Sequence, residues 1–326
     1  MDEHEESKLI YSIGENIIWL KQTCITGKKF YFMIIAFLSY TVNYVVVVVI
    51  LVANFKKKKV DKSLFLFSII FMSVLYIIEI FANFRAGFTE PGILPKQYTS
   101  YIPHKKQERK CVIRGHLFNI KYCLTCDIFR PPRSSHCSKC DNCVQKFDHH
   151  CMWIGTDVGI RNYKFFYLLV FSINLNNIYQ IGFCLYFLIV YNINEKNENN
   201  TIDYKIIIPM SLVVLYNILI IILLLGKLFC VHSFLCCSNL TFYEYFKKKF
   251  KKVPGFNPFK RNFFYNWRQN FLNCARKTIF FDRPIVNFGV KILNNNNNGK
   301  DIEYLYDKLN SNVKKNKTLD DTEDRN

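Results

Sequence analysis

The stretch KFDHHCMWIG, Lys146 to Gly155, sets an acid, two imidazoles and a thiol side by side: Asp148, His149, His150 and Cys151. A thiol next to an imidazole can be a nucleophile with its base, because the imidazole holds the thiol as the attacking thiolate. The same pair can equally be two ligands of a borderline-soft metal ion. The question is which of these groups a metal would use and which it would leave.

Between Cys123 and Cys151 lie six cysteines in 29 residues, written CLTC…HCSKCDNC…DHHC, with His136, His149 and His150 among them. The C-x-x-C spacing occurs at Cys123/Cys126, Cys137/Cys140 and Cys140/Cys143. It lets two thiolates reach one tetrahedral ion from a tight turn, which points to zinc. A disulfide framework is the competing reading, and a reducing cytosolic location argues against it. Two tetrahedral sites take eight ligands; six cysteines and three histidines are nine candidates before any carboxylate is counted. Spacing alone does not partition them, but it leaves one or two groups over. The insert has few long apolar runs, so metal binding would supply much of its folding free energy.

The elements that must hold this cluster are apolar. Half of the 326 residues are hydrophobic and 17% aromatic, yet the formal net charge is +19, a mixture that points to membrane. Four runs are long enough to cross a hydrocarbon layer of about 30 Å: Phe30–Asn54, Ser63–Phe84, Phe165–Tyr191 and Ile206–Val231. No signal peptide is evident at MDEHEESK. Lys plus Arg number 4 before the first run, 13 in Arg85–Asn162 and 18 after the fourth, against 5 and 2 in the opposite loops. The excess puts both termini and the long insert in the cytosol, although KKKK at Lys56–Lys59 pulls the other way.

The expected organisation is therefore a mainly α polytopic membrane protein with four transmembrane helices. It divides into a cytosolic N-terminus (1–29), helices 1 and 2 (30–84), a cytosolic cysteine-rich domain (85–162), helices 3 and 4 (163–231) and a basic cytosolic tail (232–326). Glu79 and Lys227 fall inside apolar runs, near their expected cytosolic ends, where snorkelling or function would account for them. YNINEKNENN and Asn294–Asn298 are low in complexity and read as disordered, while DIEYLYDKLN suits a short helix. Basic clusters such as Lys247–Lys252 suit anionic headgroups or phosphorylated ligands, and no nucleic-acid motif accompanies them. Cys230, Cys236 and Cys237 read either as acylation sites or as buried thiols.

The arrangement C-x2-C-x9-HC-x2-C-x2-C-x4-DHHC-x-W, from Cys123 to Trp153, resembles the cysteine-rich domain of DHHC protein S-acyltransferases. GIRNYKFF (Gly159–Phe166) is similar to that family's entry into its third span. EPG (Glu90–Gly92), TFYE (Thr241–Glu244) and NPFKRNFFYNW with Asn266 resemble its flanking motifs, so the likeness extends over roughly Phe30 to Phe271. It implies two structural zinc ions, one on Cys123, Cys126, His136 and Cys143, the other on Cys137, Cys140, His150 and a residue at position 157. The family has cysteine there and this chain has Asp157, whose carboxylate oxygen also binds zinc. Met152 and Thr156 replace the usual proline and asparagine.

The resemblance further implies that Cys151 is the nucleophile, His149 its base and Asp148 the orienter of that base. The donor would be palmitoyl-CoA or another long-chain acyl-CoA, with Arg161 and Lys164 as candidates for its phosphates. The acceptors would be surface cysteines of membrane-associated proteins, with membrane lipids as surroundings and a Golgi or other endomembrane location. Two other readings compete. A purely structural zinc interaction module needs no spare thiol beside a spare imidazole, and a transporter draws support only from Asn174, Asn176 and Asn177 in the third run.

Overall fold

The computed structural model describes residues 14–19, 24–56, 61–94, 96, 109–113, 116–197, 204–222, 226–248, 257–271 and 291–293. The segment DIEYLYDKLN, residues Lys56–Lys59 beyond the first of them, and the asparagine runs at 199–200 and 294–298 lie outside these.

The two first apolar runs form helices α1 (Tyr31–Lys56) and α2 (Lys62–Phe88). Asp61 caps α2: its Oδ2 accepts from the backbone N–H groups of Ser63 at 2.7 Å and Leu64 at 3.2 Å, satisfying two donors that the first turn would leave unpaired. Helix α3 (Tyr163–Asn197) has 35 residues, about 52 Å at 1.5 Å per residue. That exceeds the hydrocarbon thickness, so it reaches past it. Among the described residues three helices are long and apolar enough to cross a membrane: Tyr31–Phe55, Lys62–Phe88 and Tyr163–Val190. In the fourth expected run the described residues form α4 (Tyr204–Ile220) and α5 (Gly226–Ser238), each apolar but shorter than a full span; residues 223–225 lie outside the described residues.

Most of the exposed large hydrophobics lie on these helices, as a lipid-facing surface requires, and the polar groups turn inward. Asn43 Nδ2 donates to Gln180 Oε1 (2.8 Å) and Asn217 Oδ1 (3.1 Å), and Asn217 Nδ2 to Gln180 Oε1 (3.0 Å). Gln180 Nε2 donates to Asn176 Oδ1 (3.2 Å), and Asn176 Nδ2 to Glu79 Oε1 (2.9 Å). This chain of side chains ties α1, α2, α3 and α4 together by bonds that hydrocarbon cannot replace. Glu79, at 2% exposure, is therefore not a snorkelling residue. The asparagines of the third run bond protein groups, Asn174 to the Val170 carbonyl and Asn176 to Glu79, so the support they lent to a transporter is gone.

Between α2 and α3 the chain makes short antiparallel hairpins. Strands β1 (Asn16–Trp19) and β2 (Cys24–Gly27) pair ahead of α1. After it come β3 (Ile93–Leu94), β4 (Arg109–Ile113), β5 (His116–Ile120), β6 (Tyr122–Cys123), β7 (Ile128–Phe129), β8 (Ser135–Cys137), β9 (Asn142–Val144), β10 (His149–Cys151) and β11 (Thr156–Val158). β6 pairs β7, β9 lies between β3 and β8, and β10 pairs β11. A three-residue strand β12 (Lys291–Leu293) adds to β4. Beyond α5, the short helix α6 (Phe242–Phe246) and the aromatic helix α7 (Phe263–Phe271) close over the same region.

The first hairpin packs on this domain. Ile25 joins the core of Ile93, Cys137, Cys140, Val144 and Phe147, and Glu15 N–H donates to the Cys140 carbonyl at 2.8 Å. Gly155 has φ 70°, and a Cβ there would meet the Phe30 Cα at 2.6 Å, so only glycine lets the turn after Cys151 approach the start of α1.

Candidate active site

The hairpins place the candidate metal-ligating residues by register. His136 on β8 stands opposite Cys143 on β9, and His150 on β10 stands opposite Asp157 on β11. Two C-x-x-C turns close the sets, each ending in an aspartate with positive φ: Asp127 (54°) after Cys126 and Asp141 (49°) after Cys140. Aspartate tolerates this conformation better than most residues. Two groups result whose donor atoms lie within 4.8 Å of one another: Cys123, Cys126, His136, Cys143, and Cys137, Cys140, His150, Asp157.

These donors fit a tetrahedral ion. His136 Nδ1 is 3.4 Å from Cys126 Sγ and 3.9 Å from Cys143 Sγ; His150 Nδ1 is 3.5 Å from Cys140 Sγ and 3.9 Å from Cys137 Sγ. Bonds of about 2.0–2.3 Å to zinc set nitrogen and sulfur roughly 3.5 Å apart in a tetrahedron. Asp157 is fully buried, and its Oδ2 has no hydrogen-bond partner among the described residues, while Oδ1 is 2.8 Å from His150 Nδ1. Burial pushes the Asp157 carboxyl up to about 6, against the pull of His150, so a cation is the natural means of holding it ionised.

Strand alternation then sorts the Asp-His-His-Cys run. Neighbouring residues of β10 point to opposite faces. With His150 turned to the second cysteine group, His149 and Cys151 share the other face, where each favours the other's charged form. His149 Nδ1 is 2.7 Å from Asp148 Oδ2, which leaves Nε2 for Cys151. Cys151 sits in the apolar cluster of Ala82, Ala86, Ile154, Val158, Tyr163, Phe166 and Val170, at the foot of α2 and α3.

The electrostatics favour an ion pair. Burial opposes the charge on Cys151, but His149 and the N–H groups of Ile154 and Trp153 outweigh it and lower the thiol. Burial also opposes an imidazolium, yet Asp148 and Cys151 raise His149 to about 10. Asp148 is lowered although burial works against it, through His149, His232 and the Phe242 N–H.

The flanking motifs find their purpose in this arrangement. Asp148 Oδ1 accepts from Phe242 N–H at 2.8 Å, and the Asp148 carbonyl accepts from Tyr243 N–H at 3.1 Å. Because Phe242 contributes its backbone, a side-chain change from threonine there leaves the contact intact. Thr241 and Glu244 form a capping box on α6. The Glu244 carboxylate accepts from Arg133 Nε (2.8 Å) and Nη2 (2.7 Å), with Arg133 also donating to Asn239. Asn266, fully buried, donates to the Cys237 (2.7 Å) and Arg261 (2.8 Å) carbonyls and pins α7 to α5.

The two residues expected at the donor's phosphates differ in their surroundings. Arg161 is paired with the buried Glu90 carboxylate, so its charge is already engaged, whereas the Lys164 ammonium lies over the Phe165 ring at 5.2 Å. The sequence reading missed His232 and Tyr163. His232, on α5, has its ring centre 5.6 Å from that of His149 and 5.0 Å from Phe166, and its Nδ1 is 3.2 Å from Tyr163 Oη. A lone histidine in an apolar helix gave no signal of this partnership.

The pattern described as DHHC palmitoyltransferase matches residues 116–249. Over that segment the chain is similar to this family. The chain is 31% identical over 222 residues to Probable protein S-acyltransferase 6 of Arabidopsis thaliana, which covers 63% of this chain and 53% of that protein. It is 30% identical over 223 residues to human Palmitoyltransferase ZDHHC14 (62% and 44%) and 33% identical over 221 residues to zebrafish (Danio rerio) Palmitoyltransferase ZDHHC18-A (62% and 45%). It thus spans about half the length of the curated relatives it matches. The matched segment contains both cysteine groups, the Asp-His-His-Cys run, α6 and His232.

Proposed function

We propose that this chain is a protein-cysteine S-palmitoyltransferase of the DHHC family, moving a long-chain acyl group from acyl-CoA through Cys151 to cysteines of membrane-associated proteins. One observation carries the reading: His149 and Cys151 share a strand face that the metal-facing His150 does not, with Asp148 behind His149.

In the first step the Cys151 thiolate attacks the thioester carbonyl, and the carbon–sulfur bond to CoA breaks. The imidazolium of His149 returns its proton to the departing CoA sulfur. In the second step neutral His149 takes the proton of an acceptor thiol, whose sulfur displaces Cys151 from the acyl group. Asp148 stabilises the imidazolium throughout. The steps exchange one thioester for another, so the protein supplies mainly proximity and activation.

The two cysteine groups would each hold one zinc ion, Asp157 serving as the fourth ligand of the second. Bound zinc would supply a structural crosslink between hairpins, which sets β10 in place. The apolar foot of α2 and α3 around Cys151 suits a palmitoyl chain, whose roughly 14 methylenes at about 0.8 kcal/mol each favour burial by on the order of 11 kcal/mol. We take α4 and α5 together as a fourth span, which with the lysine and arginine excess leaves both termini cytosolic in a Golgi or other endomembrane. Lys164 is retained as a candidate for the CoA phosphates.

Purified protein incubated with labelled palmitoyl-CoA should acquire a hydroxylamine-labile label that is absent in Cys151→Ser and in His149→Ala. A label that persists in Cys151→Ser would refute the assignment, and no label in any form would leave a passive zinc module.

A further inference from the structure

Asp148 faces a second imidazole that acyl transfer leaves unused. His232 is 1% exposed, and its Nδ1 lies 4.0 Å from Asp148 Oδ2. That is too long for a hydrogen bond. It is short enough for two ligands of one ion. A ligand atom from each of Asp148, His149 and His232 falls within 4.8 Å of the other two. With bonds of about 2.0–2.2 Å, two tetrahedral nitrogen or oxygen donors stand roughly 3.3 Å apart. The distances from Asp148 Oδ2, 2.7 Å to His149 Nδ1 and 4.0 Å to His232 Nδ1, bracket that value.

His232 turns Nδ1 toward this site, 4.0 Å from Asp148 Oδ2 and 3.2 Å from Tyr163 Oη, while Nε2 is the ring's other, buried nitrogen. Its ring is held between Phe166 (5.0 Å) and Phe242 (6.1 Å), so the donor is preorganised. Tyr163 Oη, 3.2 Å from Nδ1, stands where a further ligand would. The nearest lysine on this loop, Lys146, donates to Asn270 Oδ1 at 2.6 Å.

We propose that Asp148, His149 and His232 form a third metal site, for zinc or a similar first-row divalent ion, and that its occupancy switches acyl transfer off. The proposal rests on the reading of His149 as the base of Cys151. An ion bound to His149 Nδ1 displaces the proton there to water and takes the ring from Asp148. His149 then has neither the proton nor the orientation to serve a leaving thiol. Two imidazoles and a carboxylate form an open zinc set, unlike the thiolate-rich groups that would hold structural zinc. A chelator of intermediate strength should therefore empty this site first.

The test uses the full purified chain equilibrated across buffered free zinc. Ions per chain are counted in Cys151→Ser and in Cys151→Ser/His232→Phe, the phenylalanine filling the same aromatic box. Acylation of Cys151 is followed in the wild type and in His232→Phe, each normalised to its own zinc-free rate. We expect one more ion in Cys151→Ser than in the double variant, and at least a tenfold, chelator-reversible loss of wild-type acylation. In His232→Phe the half-inhibiting zinc concentration should rise at least tenfold. Equal ion counts, or equal inhibition of the two proteins, would overturn the site. If His232→Phe loses the thiolate-bound ions as well, cobalt titration of Cys151→Ser decides: a third equivalent without thiolate charge-transfer absorption supports the proposal, and its absence ends it. Because the ion count needs no turnover, failure of Cys151 to acylate at zero zinc would sink the transferase reading separately.

Discussion

Glu244→Ala should be among the most damaging single changes outside the cysteine groups. Arg133 and Glu244 retain only 4% and 1% of their side-chain exposure, and two charge-assisted hydrogen bonds of 2.8 and 2.7 Å join them. Removing the carboxylate strands a guanidinium in a dry environment, which costs about 3–5 kcal/mol. It also removes the acceptor of the Thr241 N–H, 2.9 Å away, and loss of a cap adds about 1 kcal/mol. The expected destabilisation is thus about 4–6 kcal/mol, and acyl-enzyme formation should fall with it, because Phe242 N–H leaves Asp148. Replacing both partners, as Arg133→Met/Glu244→Leu, should cost less than the sum of the single changes, since neither charge is then orphaned. Denaturant unfolding of the detergent-solubilised protein, read as a double-mutant cycle, gives both numbers. A Glu244→Ala effect below about 1 kcal/mol, the value of a solvent-screened pair, would refute the claim that this contact is desolvated.

Three further outcomes follow from other contacts. Asp157→Cys should slow zinc loss to a chelator and Asp157→Ala should speed it, measured as ions retained per chain; no difference between the two would remove Asp157 from the second group. Burial lowers the Lys146 ammonium to about 7, so the unfolded chain binds more protons between that value and about 10.4 and stability gains from this lysine as pH rises across that window. Lys146→Met should flatten the rise, seen by comparing unfolding at pH 7 and pH 9.5. Asn176→Leu removes the donor to Glu79 and should destabilise the bundle by about 1–3 kcal/mol, whereas Asn176→Gln retains an amide and should lose less; thermal unfolding in detergent separates them.

Residue types and spacing made the cysteine groups legible, but their division was legible only through family likeness, because it depends on which strands pair. The His136–Cys143 and His150–Asp157 registers bring the members of each group together. The alternation that separates His150 from its two neighbours was equally hidden, since three residues carry no periodic signal of a strand. Apolar length alone sufficed for α1, α2 and α3. The same criterion read residues 206–231 as one span, of which the described residues form α4 and α5. Contacts between distant segments were beyond reach: His232 meets Asp148 from 84 positions away, and Arg161 is engaged by Glu90 before any phosphate arrives.

Glu79 also bears on how such a chain is made. Its hydrogen-bond donor, Asn176, lies 97 residues later. At roughly 5–20 residues per second of synthesis, α2 exists for about 5–20 s before its partner leaves the ribosome. During that interval the carboxyl group must be protonated, hydrated or shielded by the insertion machinery. Biogenesis is then a rendezvous between the two halves, and slowed translation across the loop that joins them should expose the early helices to quality control.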